Sequence, residues 1–135
     1  MKKELKILVF GNILVKKDNL ALRLMPQLQK LFPNTEFIET DSSESLEKYG
    51  KNLKIIDVVS EIKEIKTIKI VSEKDFEKLQ TTKIYSMHDF DLAYNLKLLK
   101  KMNLIDEIEI ICLPMNIDER KALKEVSEIL QKWAD

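Results

Sequence analysis

The chain has 135 residues, 44% of them hydrophobic and 34% charged, with 23 basic side chains balanced by 23 acidic ones. This length and apolar content predict one domain, residues 1–135, with a single substantial core, and exclude a disordered chain. Zero net charge, with no basic stripe interleaved with aromatics, argues against nucleic acid as the main partner, because phosphate binding needs clustered positive charge.

The start, MKKELKILVF, is basic and then apolar, as a signal peptide would be. Its apolar run is too short for one, and Gly-Asn follows where a small-residue cleavage site belongs. Lys6–Phe10 therefore reads as a first strand, covered on both faces. Nowhere is there a run of about 18 apolar residues, so no membrane span is expected. The single cysteine, Cys112, excludes an internal disulfide and suits a reducing compartment. The protein is expected to be cytoplasmic.

From Asn19 onward, Leu20, Leu24, Leu28 and Leu31, with Ala21 and Met25, recur at helical spacing. Pro26 falls inside this pattern and is expected to kink the helix or end its first part; Pro33-Asn34 closes it. Thr35–Thr40 is a second strand, and DSSESLEKYGKN a loop with a helical turn. Leu53–Val59 is a third strand, apolar except for Lys54 and Asp57. Thr67–Val71 alternates like an edge strand.

Asp91–Met102 is a helix with Leu92, Leu96 and Leu99 on one face. Ile108–Leu113 is another buried strand, ended by Pro114. Asn116 and Glu119 form a capping pair for the last helix, whose apolar face is Leu123, Val126, Ile129, Leu130 and Trp133. The fold class is α/β: a three-layer αβα sandwich with a mostly parallel, five-stranded sheet including an edge strand.

Ligands of such sheets gather beyond the carboxyl ends of the strands. Three residues stand at that rim. Asp57 interrupts an apolar strand near its carboxyl end, where a carboxylate is costly unless hydrogen-bonded, paired or metal-bound; a structural acid holding a loop would serve as well. Asp18 precedes the first helix, and capping alone would account for it. His88, the only histidine, lies in YSMHDFD beside a local capping pattern. A surface histidine is the plain alternative, but a helix start favours the neutral imidazole that a metal needs. Two carboxylates and one imidazole on three loops would make an open O,O,N site for a first-row divalent ion.

With those residues in hand, the chain resembles the hydrogenase maturation proteases, endopeptidases that process the large subunit of nickel–iron hydrogenases. The family's opening strand, Gly-Asn, apolar loop, acid and arginine-bearing helix read here as KILVFGNILVKKDNLALRL, with Arg23 in place. Its strand-ending acid matches Asp57 in LKIIDVV, and its Ser-x-His segment before a leucine-rich helix matches SMHDFDLAYNLKLL. The resemblance implies that Asp18, Asp57 and His88 form the metal-binding triad and meet nickel presented by the substrate; other divalent ions can substitute.

It implies a partner as well: the hydrogenase large-subunit precursor, whose C-terminal tail is cut off. Cleavage would use a metal that polarises the scissile carbonyl or activates water, or a free carboxylate oxygen of Asp18 or Asp57 as general base. Cys112, inside an apolar strand, reads as a packing residue rather than a nucleophile.

Some residues depart from the family pattern. Lys17 replaces the first member of an acidic pair, Asn19 stands at a usual glycine, and the glycines expected in DVVSEIKEI are missing. A catalytically silent relative that binds metal or tail as a maturation factor is the alternative these departures suggest. A nucleotide- or flavin-binding protein is disfavoured, since GNILVKKDN lacks the glycines that let phosphate approach the backbone.

Overall fold

A computed structural model describes residues 5–10, 20–40, 45–59, 62–76 and 92–134. Five strands form one sheet: β1 (Leu5–Phe10), β2 (Thr35–Thr40), β3 (Asn52–Val59), β4 (Lys66–Ile70) and β5 (Glu107–Pro114). Their spatial order is β2-β1-β3-β5-β4. All neighbours are parallel except β4, which runs antiparallel to β5 at the edge. The helices contained whole within the described residues are α1 (Leu20–Leu31), α2 (Leu92–Lys101) and α3 (Glu119–Ala134).

The sheet is mostly parallel because its central strands are apolar on both faces. In β5, Ile108, Ile110 and Cys112 face one side and Ile111 and Leu113 the other, all buried. The first set joins Leu8, Phe10, Ile55 and Leu96 in a core beneath α2; the second joins Ile7, Val9, Ile56, Leu24 and Val126 beneath α1 and α3. Among the described residues, α1 and α3 therefore cover one face, and α2 with the 3-10 turn Leu46–Tyr49 packs on the other. This is the expected three-layer sandwich. After the turn, Gly50 adopts φ 116, a left-handed backbone that a side chain would strain.

Boundaries differ from expectation in instructive ways. The edge strand is Lys66–Ile70, one residue earlier than its alternation suggested. Pro26 does not end the first helix, which runs unbroken through it to Leu31. Pro26 lies on the solvent side, where carbonyls tilt outward to water and a lost backbone bond is most easily tolerated. Leu31, expected on the buried face, is 56% exposed; the contact face of α1 ends at Leu28. The last helix is capped by Asp118 and not by Asn116. The Asp118 carboxylate accepts from the Lys121 N–H at 3.1 Å, while its carbonyl accepts from Ala122 at 2.9 Å. The buried line of α3 is Ala122, Val126 and Leu130, with Leu123, Ile129 and Trp133 half-buried beside it.

Ion pairs join neighbours within the layers. Arg23 on α1 pairs with Glu119 in the first turn of α3, and Lys54 on β3 pairs with its register partner Glu109 on β5. The Lys54 ammonium also sits 4.9 Å from the ring centre of Trp133. The Arg23–Glu119 pair is exposed and adds about 1 kcal/mol at most. Among the described residues no helix is long and apolar enough to cross a membrane.

Candidate functional site

The order β2-β1-β3-β5-β4 creates a switch point. From β1 the chain passes over one face, through α1, to β2; from β3 it reaches β5 by way of β4 and α2 on the other face. Where the chain leaves neighbouring strands in opposite directions, as from β1 and β3, sheets of this class bind ligands in a crevice outside the strands' carboxyl ends. Phe10 and Asp57 stand level at that crevice, since Leu8 pairs with Ile55 and Val9 with Ile56.

The register extends this into a row across all five strands. Thr40 pairs with Phe10, Asp57 with Cys112, and Cys112 with Lys66. Strand alternation puts the five side chains on the α2 face of the sheet. Thr40 and Asp57 are two of the three buried polar side chains among the described residues, and Asp57 is only 1% exposed. Lys66, at the exposed edge, closes the row with positive charge, which also discourages edge-to-edge pairing.

The row's charges act on the thiol between them. Burial, reinforced by the Asp57 charge and opposed by Lys66, pushes Cys112 up from 9.0 to about 12. Cys112 is therefore a protonated thiol at neutral pH and no nucleophile, in keeping with the packing role expected for it.

Of the three residues expected at the rim, the structure places Asp57, at the carboxyl end of β3 and at the switch point. Asp18, between β1 and α1 in sequence, and His88, shortly before α2, lie outside the described residues. Among the described residues no three potential ligands gather around one point. Asp57 alone can accept hydrogen bonds, take a proton from water, or give an oxygen to a hard or borderline divalent ion. The contribution of Lys66 was not foreseen. Its signal was present in KTIKI, where Ile68 and Ile70 alternate with the same face as Lys66.

The hydrogenase maturation protease family model, HycI, matches residues 40–134. The chain belongs to this family of peptidases. The matched stretch contains Asp57 and His88 and begins after Asp18. Among solved structures, the chain is similar to the [NiFe] hydrogenase maturation protease HybD from Thermococcus kodakarensis, with 27% identity, TM-score 0.71, and coverage of 98% of this chain and 100% of that one. An uncharacterised protein from Wolinella succinogenes (14% identity, TM-score 0.60, 97% and 99% covered) shares the fold. So does the hydrogenase 2 maturation peptidase of a Thaumarchaeota archaeon (18%, TM-score 0.59, 98% and 97% covered). No curated protein matches the sequence.

Proposed function

We propose that this peptidase removes the C-terminal peptide of a nickel–iron hydrogenase large subunit once nickel has been loaded. The carrying observation is Asp57, a buried carboxylate at the switch point of a maturation-protease fold. In this reading Asp18, Asp57 and His88 converge as two oxygens and one nitrogen on the nickel that the precursor presents. The metal is part of the substrate, and a precursor without it offers the open site no ligand, which supplies specificity.

The chain's own chemistry is then simple. A carboxylate oxygen of Asp57 or Asp18 not engaged with the metal accepts a proton from water as the water attacks the scissile carbonyl. The same carboxyl group returns that proton to the departing amine nitrogen. A bound divalent ion would add polarisation of the carbonyl. The protonated Cys112 gives no reason to invoke a thioester.

The test is to incubate the protein with nickel-loaded and nickel-free precursor and to weigh the products by mass spectrometry. Loss of a short C-terminal peptide from the loaded precursor only is the expected result. Tight binding without cleavage would favour the silent maturation factor, for which Lys17 is the motive. Absence of both would refute the proposal.

A further inference from the structure

Among the described residues six large apolar side chains are exposed, and four of them lie on α2 or in the turn after it: Tyr94 (66%), Leu98 (45%), Met102 (58%) and Leu104 (37%). Tyr94, Leu98 and Met102 are spaced by four residues and so line one strip of helix surface. The helix beneath them is well anchored: Leu96, on the opposite face, is 1% exposed and packs in the core with Leu99 beside it. The end of the strip is also fixed. Met102 N–H bonds to the Leu98 carbonyl at 3.0 Å, Asn103 turns left-handed at φ 60, and Leu104 N–H returns to the Leu99 carbonyl at 3.0 Å. This helix closure sets the direction of Leu104. Soluble proteins rarely expose an ordered apolar patch of this kind without a partner for it.

The charges around the strip indicate the partner's chemistry. Lys97 and Lys101 run alongside it four residues apart, and α2 contains no acidic residue. Lys100 is engaged with the Asp106 carbonyl at 2.6 Å. Like charges at this spacing repel, and carboxylates from a partner would relieve that repulsion. A second copy of the same face would instead add two more lysines, so self-association through it is disfavoured.

We infer that this strip is a docking surface for an acidic amphipathic segment of the hydrogenase large-subunit precursor, outside the tail that is cut. The inference rests on the processing function proposed above. The geometry suits it, because α2 packs on the sheet face toward which Asp57 points. Apolar contact would supply affinity, and the lysines would supply steering and orientation.

The experiment measures binding of the nickel-loaded precursor, by interferometry, to the wild type and to two double variants, Tyr94→Ser/Leu98→Ser and Lys97→Glu/Lys101→Glu. Cleavage by the same proteins is followed in parallel. The substituted side chains lie on the outer face of α2, and circular dichroism confirms that each variant is folded. At least tenfold weaker binding by both variants, with kcat near wild type at saturation and KM raised, supports the docking surface. Binding by the wild type should also weaken as salt is added. Equal affinity in all three proteins overturns the inference, as does failure of the wild type to bind. Wild-type dimerisation that the serine variant abolishes also overturns it, by assigning the strip to a second copy. Variant-sensitive binding without any cleavage upholds the docking surface and refutes only the proteolytic reading.

Discussion

Asp57 and Cys112 face one another across the ladder between β3 and β5, both about 1% exposed. A carboxylate and a thiol side by side in a dry sheet suggest nucleophile chemistry at first sight. The electrostatics point the other way. Burial and the Asp57 charge both hold the proton on sulfur, so the thiol is no nucleophile at neutral pH.

Cys112 should give the protein's stability a signature at high pH. The unfolded chain releases this proton near 9.0 and the folded chain keeps it to about 12. The folded state then binds more protons between those values, and stability must fall as pH rises through that window, by up to about 1.4 kcal/mol per pH unit. Below it, Cys112 contributes no pH dependence. Urea unfolding of wild type and Cys112→Ala at several pH values isolates the effect, since lysines and tyrosines largely cancel in the difference. The wild type should lose stability faster above pH 9.0; parallel curves would contradict the assignment. Cys112→Ala should still process precursor.

Asp57→Asn keeps the shape of the side chain and removes its charge. The variant should fold, and its processing rate should fall at least about 100-fold, the lower range for loss of a general base. Single-turnover cleavage of loaded precursor provides the measurement. Wild-type rates in this variant would make Asp57 a structural acid only.

The cap of α3 separates two neighbouring residues. Asp118→Ala removes the bond to the Lys121 N–H and should cost about 1 kcal/mol in chemical unfolding. Asn116→Ala, on the exposed surface, should stay within about 0.5 kcal/mol of wild type. The reverse ranking would restore the cap expected from sequence.

Pro26 sits inside α1 with its ring exposed. Proline costs about 3 kcal/mol relative to alanine within a helix, partly offset by the freedom it removes from the unfolded chain. Pro26→Ala should therefore stabilise the protein by roughly 2 kcal/mol. A destabilised variant would mean that the local geometry of α1 depends on the proline.

Strands were legible because β3 and β5 must be apolar on both faces, so LKIIDVV and IEIICL stand out, and the charge of Asp57 stood out against them. The cap was misplaced because Asn116 and Asp118 both precede the helix and only backbone geometry chooses between them. Pro26 misled because a local penalty was outweighed by burial of Leu20, Leu24 and Leu28 on one face. The row Thr40–Phe10–Asp57–Cys112–Lys66 was not legible, because it depends on strand order and register, which hydrophobic periodicity does not specify. Nor was the apolar strip on α2: periodicity identified its buried side, Leu96 and Leu99, and leucines on the outer side blurred the pattern.

The most direct test of the proposed site is crystallographic. Crystals of the protein soaked in Ni²⁺ and measured at the nickel absorption edge should show one anomalous peak in contact with the carboxylates of Asp18 and Asp57 and the imidazole of His88. A structure in which those three groups lie too far apart to share an ion would contradict the account.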